Sequence, residues 1–203
     1  MGPAAAGTGC VSHCKGRVGY VTAATEDVVA LLKADYRRVE EMFSTLDALD
    51  DSKLVDYFCH VREELVRHET AEELVVYPAF RRNVPGGDFV ADACIAEQSE
   101  AEETLARFER HGDEPVVLRA GLLQLRRDVR AHAQHEEEEV FPALEAHIKV
   151  RDLQELAKRY AKALESAPAH THPHAPETPP GNVVLAPIEA VRDRIRDAMK
   201  SSA

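Results

Sequence analysis

His68-Glu-Thr-Ala-Glu72-Glu73-Leu-Val-Val-Tyr77-Pro78-Ala79 returns 64 residues later as His132-Ala-Gln-His135-Glu136-Glu137-Glu-Glu-Val-Phe141-Pro142-Ala143. The constant offset marks a repeat of one structural unit. On a helix, residues four apart share a face one turn apart, so each copy presents an imidazole beside a carboxylate. Two such helices placed face to face bring two histidines and two glutamates together. That donor set suits a metal ion inside a helical bundle.

Outward from these two blocks the chain reads as four helices. Val28, Leu31, Leu32, Asp35, Val39, Met42, Phe43 and Leu46 trace a first stripe, with Thr25 a fitting N-cap and Ala48 near its end. Ser52 is placed to cap a second helix, which carries Leu54, Phe58, Val61, Leu65, His68 and Glu72, and which Pro78 is expected to kink or end. Pro85-Gly86-Gly87 is a turn by composition, followed by a third helix from about Asp88 to His111. Pro115 opens a fourth, through Leu118, Leu122, Leu125, Val129, His132 and Glu136 to Pro142. Short connections make the predicted fold all-α, an antiparallel up-down-up-down four-helix bundle over residues 25–165, with a continuation or fifth short helix from about Arg151 to Glu165. Residues 1–24 read as a flexible leader, and 166–203 as a Pro/His-rich tail followed by a short docking helix, Ile188 to Lys200.

A weaker repeat accompanies the strong one. Tyr36 and Glu40 on the first helix match Gln98 and Glu102 on the third, again four apart. All four helices therefore carry a polar pair at what could be one level of the bundle, and buried polar groups need partners or a cation. Glu40 and Glu102 lie in charged surroundings that favour solvent. His135 has its own carboxylate four residues on, Glu139, and is the chief ambiguity of register. The tract His170-Thr-His172-Pro-His174 is expected either to lie across the metal end of the bundle or to run as a solvated linker.

Composition narrows the function classes. The chain has 203 residues, 25 basic against 36 acidic, and a net charge of −11, which argues against nucleic-acid and anionic-membrane partners. Cys10, Cys14, Cys59 and Cys94 follow no disulfide or zinc-ribbon spacing, and a core of this size needs no staples, so a reducing cytoplasmic setting fits. Cys10-Val-Ser-His13-Cys14 lacks the second ligand pair that structural zinc needs. There is no run of eighteen apolar residues, no Ser/His/Asp set and no glycine-rich phosphate loop.

The stretch Asp27 to Val39, with Asp35-Tyr36, together with the two His-x-x-x-Glu-Glu blocks and their Tyr/Phe-Pro endings, resembles the bacterial hemerythrin-like, or HHE cation-binding, proteins over about residues 25–148. The tail is similar to the C-termini of actinobacterial members. The resemblance implies a four-helix bundle around a non-haem di-iron centre, imidazoles capping each iron and two glutamates bridging, with other divalent metals also accommodated. It further implies oxygen, nitric oxide or peroxide as the small ligand, or iron sensing and storage. Where that family has Asp-His on the first helix and Glu-His on the third, this chain has Asp35-Tyr36 and Glu97-Gln98. The expected metal set is therefore His68, Glu72, His132 and Glu136, extended by Tyr36, Gln98 and Glu102. Two function classes follow: a working di-iron or mixed-metal centre richer in oxygen ligands, or a metal-depleted bundle acting as a regulatory or binding module.

Overall fold

The computed structural model describes residues 27–111 and 114–167, and these are almost wholly helical. Helix α1 spans Val28–Ala48. Its cap is Asp27, whose carboxylate accepts the Ala30 N–H at 2.9 Å, while Thr25 lies outside the described residues. After Leu49 and Asp50 comes α2, Asp51–Ala71. Asp50 takes the N-cap position that Ser52 was expected to hold, and makes no side-chain capping bond.

Pro78, expected to kink or end the second helix, is preceded by an interruption of the regular α-helix and not by a loop. Residues Glu72–Val76 form a π-helical turn and the helix resumes as α3, Tyr77–Asn83. Proline has no N–H and its ring collides with the carbonyl four residues back, so a regular α-turn cannot pass through position 78. Widening the preceding turn relieves the conflict: the Tyr77 N–H bonds to the Glu72 carbonyl, five residues back. The second repeat does the same. After α4, Gly87–His111, and α5, Pro115–His135, a π-turn at Glu136–Val140 leads into α6, Phe141–His147, with the Phe141 N–H on the Glu136 carbonyl. Helix α7, Val150–Ser166, follows after Ile148 and Lys149.

Tight connections make neighbours antiparallel. Gly86 turns the chain between α3 and α4 with φ of +76°, a left-handed conformation that glycine adopts without strain. A Cβ on Gly87 would stand 2.9 Å from the Phe80 carbonyl oxygen, so the next position is bound to glycine by close approach. Side-chain pairs confirm the directions. Arg126 meets Asp47 while Arg130 meets Glu40, so α5 runs opposite to α1. Arg81 meets Asp88 while Gln98 meets Tyr77, so α4 runs opposite to α3.

The core falls into two apolar clusters. One joins Leu32, Phe80, Phe141, Leu144, Leu153 and Leu164 at the α7 end. The other joins Phe43, Leu46, Leu54, Leu105, Phe108 and Leu125 at the far end. Both repeats put their His and Glu in the layer between them. The fold expected for residues 25–165 is thus an all-α bundle with a C-terminal helical extension, and α7 lies within a residue of its expected ends. The leader 1–24, the His170 tract and the terminal helix lie outside the described residues.

Candidate metal centre

Two fully buried carboxylates define the middle layer: Glu72 and Glu136 each have no exposed surface. They sit at the start of the two π-turns. Around them are His68, His132, Gln98 and Tyr36, all buried. His68 Nε2 lies 3.0 Å from Glu72 Oε1 across one helical turn, and His132 Nε2 lies 3.9 Å from Glu72 Oε2 across the bundle. Glu72 therefore stands between the two imidazoles. Tyr36 donates its hydroxyl to Glu136 Oε2 at 2.7 Å and lies 3.5 Å from Glu72 Oε1. The Gln98 amide donates to Glu72 Oε2 at 2.6 Å and to the Tyr77 hydroxyl at 3.0 Å.

Three contributors to this layer were not foreseen. Tyr77 reaches Glu72 Oε2 at 3.4 Å. Five residues on an ordinary α-helix would turn it well away from Glu72, and the π-turn returns it to the same face; Pro78 was the signal. Tyr160, on the apolar face of α7, lies 2.8 Å from His68 Nδ1 and donates to Asp35 Oδ2 at 2.7 Å. Glu97 holds His132 from behind, its Oε2 3.0 Å from Nδ1. Such outer partners set the tautomer and aim of a ligating ring.

Glu102 is half-buried and acts on another unforeseen group, the buried Glu69, whose carboxyl is pushed well above the ordinary range by burial and by Glu102. It belongs to neither group of closely spaced metal-type donors among the described residues. Glu40 points outward and pairs with Arg126 and Arg130.

Electrostatics polarise the layer. Burial works against the charge on Glu72, but the His68 and His132 imidazoles overcome it and hold the carboxyl well below its usual range. Burial also pulls both histidines down, and their carboxylate partners more than reverse this: His68 is raised by Glu72 and Asp35, His132 to about 10 by Glu72 and Glu97. Glu136 is pushed up to about 7 by burial and by the neighbouring Glu72. Tyr36 and Tyr77 are raised by burial and by the two glutamates, so both phenols keep their protons.

The donor set fits a cation. Oxygens of Glu72 and Glu136 and a nitrogen of His132 lie within 4.8 Å of one another. Glu136 Oε1 and Gln98 Oε1 are buried and make no hydrogen bond. Buried lone pairs without donors are costly, and an ion placed between them would satisfy both.

Comparison with known proteins agrees. The hemerythrin HHE cation binding domain matches residues 27–144. An uncharacterized hemerythrin-like protein of Schizosaccharomyces pombe is 30% identical over 138 residues, 68% of each chain. A DNA nickase of Nostoc sp. is 25% identical over 134 residues, 66% of this chain but 38% of that protein. No solved structure matches. No helix among the described residues is long and apolar enough to cross a membrane. With more than half its length matched and the donors in place, the chain belongs to the hemerythrin HHE cation-binding family.

Proposed function

We propose that the buried layer is a non-haem iron centre, holding up to two ions, at which the protein binds or reduces oxygen, peroxide or nitric oxide. The observation that carries this reading is Glu72, wholly buried and set between the imidazoles of His68 and His132, where one carboxylate can serve two ions. Glu136 supplies the second carboxylate. Tyr36 and Gln98, where the hemerythrin-like pattern has imidazoles, would offer oxygen instead. Bound iron supplies one-electron chemistry toward oxygen and its relatives. A hard, oxygen-rich set favours the ferric state, and with it reduction over reversible carriage.

The surrounding residues bear on selectivity. Tyr160 and Asp35 fix the His68 ring, and Glu97 fixes His132. Tyr36, His68, Glu69, Gln98 and His132 line a cavity of about 10 Å³, walled by Val39, Leu65, Ala101 and Val129. That is about the room one water needs, which favours a small ligand such as a diatomic or peroxide. Tyr36 holds its proton 2.7 Å from Glu136, within reach of the cavity it lines. We assign the protein to the reducing cytoplasm, a setting consistent with Cys59 and Cys94 lying outside any disulfide.

A second reading has its own support. Gln98 on Glu72 at 2.6 Å and Tyr36 on Glu136 at 2.7 Å close much of the polar network without an ion, as a metal-depleted binding module requires. Anaerobic ferrous loading of the full chain separates the two. The iron reading expects one to two tightly held ions, peroxide consumption, and loss of both in Glu72→Gln and Glu136→Gln. A wild-type protein that retains no iron and melts at the same temperature after loading gives the site to the second reading.

A further inference from the structure

Facing pairs spaced three apart occupy α4 and α5 beside the central layer: Cys94 and Glu97 on one, His132 of that layer and His135 on the other. His135 Nδ1 lies 2.8 Å from Glu97 Oε1 and 3.9 Å from Cys94 Sγ. Cys94 and Glu97 belong to a group of donors within 4.8 Å of one another that His132 completes, and His135 approaches both from beside it. Cys94 is fully buried, whereas the side chains of His135 and Glu97 are 21% and 39% exposed, so the cluster is sealed at its sulfur and open at its rim. Among the described residues, the donor group of the central layer contains no sulfur.

We propose that Cys94, Glu97 and His135 form a second cation site, suited to a borderline-soft divalent ion of the zinc type and distinct from the carboxylate centre. Tetrahedral zinc with bonds of about 2.0–2.3 Å sets its sulfur and nitrogen donors about 3.6 Å apart and its oxygen and nitrogen donors about 3.3 Å apart. The observed 3.9 and 2.8 Å are each within about half an ångström of those separations, a change that small side-chain rotations supply. The ion takes the place of the proton shared by His135 Nδ1 and Glu97 Oε1. That proton and the thiol proton of Cys94 leave to solvent, and the sulfur binds as thiolate. Without an ion, burial and the surrounding carboxylates keep the thiol protonated, so the sulfur is not an exposed nucleophile.

The remaining contacts keep their roles. Glu97 Oε2 stays on His132 Nδ1 at 3.0 Å, and so ties the second site to a ligand of the first. Glu139 Oε2 faces His135 Nε2 at 3.7 Å from one turn on, which favours the tautomer that leaves Nδ1 free for the ion. The fourth position opens to solvent, as in zinc sites that keep a water.

Cobalt titration tests the assignment, because a thiolate bound to Co²⁺ gives a sulfur-to-metal charge-transfer band and carboxylate or imidazole does not. The full chain with Cys10→Ser and Cys14→Ser removes the thiols outside the described residues. In that background the band is expected to saturate at one thiolate-bound cobalt per chain and to bleach on adding zinc. Cys94→Ser should abolish it, His135→Ala should weaken cobalt binding at least tenfold, and Cys59→Ser should leave it unchanged. His135 is partly exposed, so its variant tests the site even where Cys94→Ser fails to fold. Glu72→Gln and Glu136→Gln should preserve the band, which keeps the outcome independent of the iron centre. No band in the background chain, or a band that survives Cys94→Ser or keeps its affinity in His135→Ala, overturns the proposal.

Discussion

The hydroxyl of Tyr160 stands 2.8 Å from Nδ1 of His68 and 2.7 Å from Oδ2 of Asp35, so a residue of α7 sets the aim of an imidazole on α2. Asp35 is itself held by Arg38 at 2.8 Å. Removing the hydroxyl leaves a buried ring nitrogen without its partner while the packing of the aromatic ring is kept. Tyr160→Phe should cost about 1–3 kcal/mol of stability in chelator-treated protein. Metal affinity at the central layer should fall by about 10–100-fold, as for other outer partners of ligating histidines. Denaturant melts and competitive metal titration read the two effects; wild-type values in both would show that the hydroxyl does not hold the ring.

Glu69 gives a pH signature of opposite sign to an ordinary carboxylate. Burial and the charge of Glu102 raise its folded-state pKa, so as pH climbs above the unfolded value the unfolded chain releases a proton that the native chain retains. Stability is therefore lost as pH rises through that window. Glu69→Gln, neutral at every pH, should be more stable than the metal-free wild type at pH 7, with the difference vanishing below the ordinary carboxylate range. Equal stabilities across that range would mean that Glu69 ionises freely in the native state.

Glu40 behaves in the usual direction. Its bonds to Arg130 and Arg126 lower it from 4.5 to about 2, so its contribution is complete above pH 4.5 and is lost as pH falls from there through about 2. The carboxylate is 36% exposed, and solvent screening limits the network to about 1 kcal/mol or less. Glu40→Gln should lower stability by that amount at neutral pH in low salt, and by progressively less at high salt or in acid. A deficit that persists at pH 2 would point to packing in place of charge.

How much of this was legible depends on the range of each interaction. The repeated His-x-x-x-Glu spacing is local, so one helical period places His68 beside Glu72 and predicts the facing pair His132 and Glu136. The two-residue connection after α1 and the Pro-Gly-Gly turn after α3 then make antiparallel packing the simple outcome. Tyr77 escaped because its five-residue distance from Glu72 faces the wrong way until the π-turn at Pro78 is known. Tyr160 escaped for another reason: it meets His68 across 92 residues of sequence, and within α7 it reads as one more member of an apolar stripe. Ser52 was read as a cap because its residue type permits it, yet the helix begins two residues earlier than that cap implies, where Asp50 already provides the extended backbone.

Tyr36 and Gln98 bear on the character of the proposed centre, because both sit in the central layer with their polar ends on Glu136 and Glu72. The Tyr36 phenol is raised by burial and by Glu136 and Glu72, so in metal-free protein it stays neutral and colourless in the visible at pH 7. Only a bound ferric ion would offset those carboxylates enough to take the oxygen as phenolate. Ferric loading should then give a visible phenolate-to-iron charge-transfer band, absent in Tyr36→Phe. Gln98 has its amide nitrogen on Glu72 and its oxygen without a partner, which makes it at best a weak neutral ligand. Tyr36→His with Gln98→His supplies two nitrogen donors in place of a phenol and an amide, and should raise iron retained after desalting toward two per chain. Should the double variant hold no more iron than a wild type that holds none, the obstacle lies elsewhere in the layer. The metal-depleted reading would then account for the network that Gln98 and Tyr36 close around Glu72 and Glu136.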